Sequence, residues 1–381
     1  MKRLGIFLAV CLLLTMLPVR ARGVELDIQG KSAVLMDMAT GTVLYEQNAH
    51  DKLAPASVTK VMTMLLIMEA IDSGKIGWND TVTASETAAA KGGSQIYLKV
   101  GEQMSVTDMV KAIAVSSAND CACAMAEHIA GSEAAFVDMM NRRAAELGMN
   151  DTKFVNCTGL DDDDAAKEHL TSAYDIALMS RELMTKHPDI QKFTTIWMDT
   201  VRDGAFGLAN TNKLVRFYPG ATGLKTGFTA AAGYCLSATA QREGLALVAV
   251  VMGSKTSQER FSACKSMLDY GFANYALVQP QVPQSSVAVK LGIRESVEAV
   301  PGHYPNILID KQQRERVSTE IVLDETVQAP VSKGQRLGTL TVKAGEQVLE
   351  QVPMVAAEGV EALTWGDVFL QILRKLAMAK G

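Results

Sequence analysis

Apolar and polar positions follow one rhythm up to about residue 277 and another beyond it. In the first part, Ser32–Asp37 and Thr42–Glu46 are rich in β-formers and are joined by Met38-Ala39-Thr40-Gly41, which predicts a hairpin. Val61–Ala70 is apolar on nearly every side, the pattern of a buried helix, and Gly74 suits its C-terminal stop. Thr81–Ser85 and Ser94–Leu98 read as short strands. Val106–Ala114 leads through Val115-Ser116-Ser117-Ala118-Asn119-Asp120 into an alanine-rich helix, Cys121–Ala130. Glu133–Leu147 is a further helix, ended by Gly148. Thr171-Ser172 caps another, Ala173–Lys186, which Pro188 stops. Gly233–Ala240 and Leu245–Met252 read as antiparallel neighbours turned at Arg242-Glu243-Gly244, and Phe261–Tyr275 as a closing helix.

Beyond residue 277 the helical period disappears until residue 362, and six of the ten prolines lie there. Val287–Leu291, Ser296–Val300, Ile307–Asp310, Ser318–Leu323 and Gly338–Lys343 are short alternating runs, which predicts a small all-β domain. The period then returns. Trp365, Val368, Phe369, Ile372 and Leu376 fall on one helical stripe, with Arg374, Lys375 and Lys380 behind it. Such a segment suits the plane of a membrane surface. At the other end, Lys2 and Arg3 precede an apolar run, Leu4–Leu17, which has the form of a secretory signal peptide. The expected divisions are therefore 1–23, 24–276, 277–361 and 362–381, in an exported chain.

Composition narrows the chemistry. A net charge of −5 provides no basic footprint for nucleic acid. Five cysteines follow the apolar leader, at 121, 123, 157, 235 and 264; an odd number with scattered spacing argues against a disulfide framework. Cys121 and Cys123 point to different faces of their helix, and Asp161–Asp164 lacks calcium-loop spacing, so no metal site is expected.

The candidate reactive centre is Pro55-Ala56-Ser57-Val58-Thr59-Lys60, at the head of the buried helix. Residues three apart share a helix face, so Ser57 and Lys60 can meet. A lysine at the buried, positive end of a helix favours its neutral form, which can take a proton from serine. Ser-x-x-Lys alone is a weak signal, and Ser262-Ala263-Cys264-Lys265 repeats it. Ser117-Ala118-Asn119 is the only Ser-x-Asn, and Lys225-Thr226-Gly227 the only Lys-Thr-Gly, a triplet expected by chance ~0.1 times in such a length. The three elements occur in the order known for penicillin-binding proteins and class A β-lactamases, and the Ser262 match fails because it follows Lys-Thr-Gly.

With these motifs, and with His169-Leu170-Thr171-Ser172-Ala173-Tyr174-Asp175, Asn210-Thr211-Asn212, Lys225-Thr226-Gly227-Phe228-Thr229 and Lys333-Gly334-Gln335-Arg336-Leu337-Gly338, the chain resembles the low-molecular-mass penicillin-binding proteins that are serine-type D-alanyl-D-alanine carboxypeptidases. The resemblance implies an α/β (α+β) transpeptidase-like fold: an antiparallel sheet flanked by helices, a helical subdomain, then the β-rich domain and the terminal helix. It implies no cofactor and no metal. It implies peptidoglycan stem peptides as substrate and β-lactam antibiotics as covalent inhibitors; the apolar leader and the terminal stripe add a place outside the cytoplasm, peripheral on the membrane.

Ser57 would attack the penultimate D-alanine carbonyl with Lys60 as general base. Ser117 and Asn119 would line the opposite wall, the first relaying a proton to the leaving amine and the second holding substrate backbone. Lys225, with Thr226 or Thr229 and beside Gly227, would bind the terminal carboxylate, and its charge would further favour neutral Lys60. The backbone N–H groups of Ser57 and Phe228 would form the oxyanion hole. Some members carry arginine where Thr211 stands, so carboxylate recognition here leans on Lys225 and a hydroxyl. A class A β-lactamase would also need a deacylating glutamate in a Glu-x-x-Leu-Asn setting, which Glu133, Glu146, Glu168 and Glu182 lack.

Overall fold

In the computed structural model, which describes residues 26–369 apart from Asp163, the chain opens with a hairpin, β1 (Ser32–Asp37) and β2 (Val43–Gln47). A 3-10 turn, Ala56–Thr59, runs directly into helix α1 (Lys60–Asp72), where every residue from Lys60 to Met68 is buried. Gly74 follows at φ +74°, as its role at the helix end requires. A ribbon of β3 (Thr81–Thr83) and β4 (Gln103–Ser105) precedes α2 (Val106–Ser116), α3 (Asn119–Ala130), α4 (Glu133–Glu146) and α5 (Ala173–Lys186). A second ribbon, β5 (Met198–Val201) with β6 (Phe206–Ala209), leads to β7 (Ala221–Thr229), β8 (Gly233–Arg242), β9 (Leu245–Ser254) and α6 (Ser257–Asn274).

The main sheet has the order β2-β1-β9-β8-β7, antiparallel throughout, which leaves β7 as an edge. One face packs on α1 and α5 through Val34, Met36, Val248, Val250 and Met252; the other packs on α6 through Leu35, Leu247, Ala249 and Val251. Alternate residues of β1 and β9 thus enter two different cores. That is why these strands read as continuous apolar runs. Helix α6 starts four residues before its apolar rhythm, because Thr256 and Glu259 form a capping box.

Ser94–Leu98 corrects the sequence reading, because it is not a strand. The backbone N–H groups of Ile96 and Leu98 donate to the buried carboxylate of Asp120, at 3.1 and 3.0 Å, and Asn119 N donates to the Ser94 carbonyl at 2.7 Å. A carboxylate here takes the place of a ladder, while burial of Ile96 and Leu98 reproduces a strand's alternation. The partner of β3 is Gln103–Ser105 instead.

From β10 (Tyr275–Val278) onward the structure is β-rich: β11 (Ser285–Lys290), β12 (Ser296–Pro301), β13 (Ile307–Asp310), β14 (Val317–Leu323), β15 (Thr326–Gln328), β16 (Arg336–Ala344) and β17 (Gln347–Ala356). Six of them form a sheet in the order β14-β16-β17-β12-β11-β15, and β10 pairs with β13. The sequence pattern missed β17, because Pro353 reads against a strand. In the structure Pro353 lies just outside the pairing with β12, which covers Met354–Ala356. Residues Trp365–Phe369 are helical, with Trp365 and Phe369 exposed. The remainder of the expected amphipathic helix, and the expected leader at 1–23, lie outside the described residues. Among the described residues no helix is long and apolar enough to cross a membrane.

Candidate active site

The nucleophile candidate sits in a turn built for close approach. Ala56 is held at φ +48°, and Ser57 follows in the 3-10 turn with Lys60 as the first residue of α1. In a 3-10 turn, residues i and i+3 eclipse. Lys60 Nζ accordingly stands 2.9 Å from Ser57 Oγ, and it donates to the Thr158 carbonyl at 2.8 Å. The amine is fully buried, and burial pushes it down to about 7, against smaller opposing effects of Cys157 and Asp120. At that value the neutral form is well populated near neutral pH.

Two glycines let other segments reach this turn. A Cβ on Gly227 would lie 2.6 Å from the Pro55 carbonyl and 3.1 Å from Ser57 N, so β7 passes alongside the nucleophile's own N–H. A Cβ on Gly159, at φ +79°, would lie 1.8 Å from the Ala56 carbonyl. Phe228, next on β7, is 53% exposed and packs on Tyr234 with ring centroids 4.2 Å apart, the rings tilted by 30°. The Gly227 carbonyl accepts from Arg260 Nη1 at 2.9 Å, which ties β7 to α6.

Ser117 is the left-handed C-cap of α2, and Asn119 opens α3. Asn119 Nδ2 donates to the Gly92 carbonyl at 2.7 Å, while Ser117 Oγ and Asn119 Oδ1 are buried with no protein partner. Buried polar atoms are nearly always paired, so these two keep unused hydrogen-bonding capacity. Thr211 bridges this wall to β7: its N–H donates to the Val115 carbonyl at 3.2 Å, and its Oγ1 accepts from Thr226 Oγ1 at 2.7 Å. Lys225 is buried, donates to the Thr226 carbonyl at 2.9 Å, and is pushed well down by burial, with repulsion from Lys60 and Arg260 adding. Burial is the largest cause at both amines, and the two lysines repel one another. Thr229 Oγ1 accepts from Ala232 N at 3.2 Å in the β7–β8 turn.

Sequence reasoning places a loop at Phe154–Leu160 but misses its hold on Lys60. Asn156 Oδ1 accepts from Thr158 N, Thr158 Oγ1 and Gly159 N, so one side chain organises the carbonyl that Lys60 meets. The signal was available as turn chemistry in Asn156-Cys157-Thr158-Gly159. Asp120, which shapes the Ser94–Leu98 wall, was visible only as the residue after Ser-x-Asn. The four candidate deacylating glutamates are engaged elsewhere: Glu133 with Lys91, Glu146 and Glu182 with Arg143, Glu168 with Lys153.

Comparison with known proteins bears on this arrangement. A family model described as D-alanyl-D-alanine carboxypeptidase matches residues 19–256, and one described as the penicillin-binding protein 5 C-terminal domain matches 274–362. The D-alanyl-D-alanine carboxypeptidase DacF of Bacillus subtilis is 46% identical over 341 residues, covering 88% of this chain and 86% of the relative. The crystal structure of penicillin-binding protein 5 from Haemophilus influenzae aligns with a TM-score of 0.74 at 30% identity, over 88% of this chain and 99% of that one. A Listeria monocytogenes penicillin-binding protein in its ampicillin-bound form aligns with a TM-score of 0.60 at 33% identity, over 65% of this chain and 99% of that one.

Proposed function

The chain belongs to the family of serine-type D-alanyl-D-alanine carboxypeptidases, penicillin-binding enzymes of the cell wall, and we propose that Ser57 and Lys60 carry its chemistry. The observation that bears most weight is the 2.9 Å approach of a buried Lys60 amine, lowered to about 7, to Ser57 Oγ. Neutral Lys60 takes the hydroxyl proton as Ser57 Oγ attacks the penultimate D-alanine carbonyl. The developing oxyanion faces the N–H groups of Ser57 and Phe228, a placement supported by the close passage of Gly227. Collapse breaks the peptide bond; the terminal D-alanine leaves with a proton delivered through Ser117, and water then hydrolyses the acyl-enzyme. A β-lactam opens on the same hydroxyl.

Asn119, whose Oδ1 lacks a protein partner, holds the substrate backbone against the edge strand β7. Lys225 and Thr226 take the terminal carboxylate, with Gly227 allowing the approach. An incoming carboxylate favours the charged form of Lys225, offsetting the burial that lowers it in the free enzyme. Thr229 accepts from Ala232 N, which leaves its own O–H free to join Lys225 on the carboxylate. Residues 24–276 form the catalytic unit and 277–361 the β-rich one, a division supported by the two family models. Peptide mapping of penicillin-modified enzyme is expected to recover the adduct on Ser57; an adduct on any other residue overturns the assignment.

The substrate belongs to a wall polymer, so holding the enzyme at the membrane surface would bring it to newly exported stems. The leader at 1–23 serves as an export signal in this reading, and Trp365–Leu376 as the surface anchor. The exposure of Trp365 and Phe369 supports the latter. Arg374, Lys375 and Lys380 would each add about 1 kcal/mol at an anionic surface. A chain ending at Glu361 is expected to keep its soluble carboxypeptidase activity but to stay in the supernatant when anionic liposomes are pelleted. Pelleting equal to that of the full chain would exclude the anchor.

A further inference from the structure

His169 lies outside the catalytic set, yet a directed chain of hydrogen bonds runs from it to the residue before the nucleophile. Val155 N donates to His169 Nδ1 at 3.1 Å, and Thr59 Oγ1 stands 2.8 Å from His169 Nε2. Thr59 Oγ1 in turn donates to the Ala56 carbonyl at 2.9 Å. The proton count fixes every direction. Nδ1 accepts, so the imidazole hydrogen is on Nε2 and is donated to Thr59; the hydroxyl then has its single proton free for Ala56. The ring is buried and packs edge-on against Phe154 at 5.6 Å, which leaves it one orientation.

The group at the end of this chain is unusual. Ala56 occupies left-handed backbone space, which a residue with a Cβ keeps only where its surroundings over-determine it. Two contacts do so: the Thr59 hydroxyl on its carbonyl, and Gly159 pressed against the same oxygen. The loop from Phe154 to Leu160 supplies both Val155, which orients His169, and Thr158, which receives Lys60. One loop thereby sets both partners of the Ser57–Lys60 contact.

We propose that His169 is a positioning residue for acylation: by bridging Val155 N–H to the Thr59 hydroxyl, it locks the Ala56 turn that aims Ser57 Oγ at Lys60. The inference rests on Ser57 and Lys60 acting as assigned above. Burial also holds the ring at about 4, so the neutral form this chain needs persists at working pH.

The test measures acylation by a fluorescent penicillin, with kcat and KM on a D-Ala-D-Ala peptide, in full-length variants. Glutamine offers an acceptor and a donor in one amide, so His169→Gln is expected to stay within about threefold of wild type, and so is Thr59→Ser, which keeps the hydroxyl. His169→Leu and Thr59→Val are expected to acylate roughly 10²-fold more slowly with KM little changed, the cost of a misplaced reacting group. The double variant His169→Leu/Thr59→Val should be no slower than the slower single, because both break one chain. Wild-type acylation by His169→Leu, equal damage from Gln and Leu, or losses that multiply in the double variant would each overturn the proposal. Should the leucine variant not fold, Thr59→Val against Thr59→Ser decides by the same comparison. Peptide mapping of the wild-type adduct separates this failure from that of the Ser57 assignment, since a Ser57 adduct with fast His169→Leu acylation defeats only the positioning role.

Discussion

Ser57→Ala is expected to abolish both D-alanine release and labelling by fluorescent penicillin, with kcat falling by roughly 10⁴-fold or more. Ser262→Ala should leave both near wild type. The two serines share a Ser-x-x-Lys spacing, so the contrast isolates environment from motif. Ser262 and Lys265 are exposed on α6, and among the described residues no hydrogen bond joins them. Ser57 faces an amine that is fully buried and lowered to about 7. The remaining site cannot make good the loss, because the variant keeps Lys60 as base but has no hydroxyl beside it to form the acyl bond. Labelling that persists in the Ser57 variant would place the active site elsewhere.

How far the sequence reveals this site depends on how local each contact is. The Ser57–Lys60 contact spans three residues, and the burial of Lys60 follows from the apolar run behind it, so both were legible. The partner that completes the lysine's environment, the Thr158 carbonyl, is 98 residues away and presents only backbone. No residue type announces a carbonyl. His169 stood within a recognised motif, but its action on Ala56 passes through Thr59, 110 residues away. The main sheet was legible where strands are buried on both faces, as in β8 and β9. A strand pattern misleads where something other than a ladder satisfies the backbone: Ser94–Leu98 mimics a strand because Asp120 accepts its N–H groups.

Lys60→Arg is expected to lose roughly 10²–10⁴-fold in kcat, the usual worth of a general base, at every accessible pH. Arginine keeps a positive charge of similar reach but does not deprotonate in proteins, so it can fill the space without accepting the Ser57 proton. In the wild type the reactive form is the neutral amine. Its pKa of about 7 means that acylation should rise tenfold per pH unit below 7 and level off above it. The same shift has a sign for stability. Between about 7 and 10.5 the unfolded chain binds a proton on Lys60 that the folded chain does not, so burying this lysine destabilises the fold most at pH 7 and below, and the penalty fades as pH rises towards 10.5. Lys60→Met should therefore melt higher than wild type at pH 7, with the difference narrowing towards pH 10, while acylation is lost. The fold retains a destabilising residue because the reaction needs it. Near-normal turnover by Lys60→Arg, or an acylation rate flat through pH 7, would move the general base to another group.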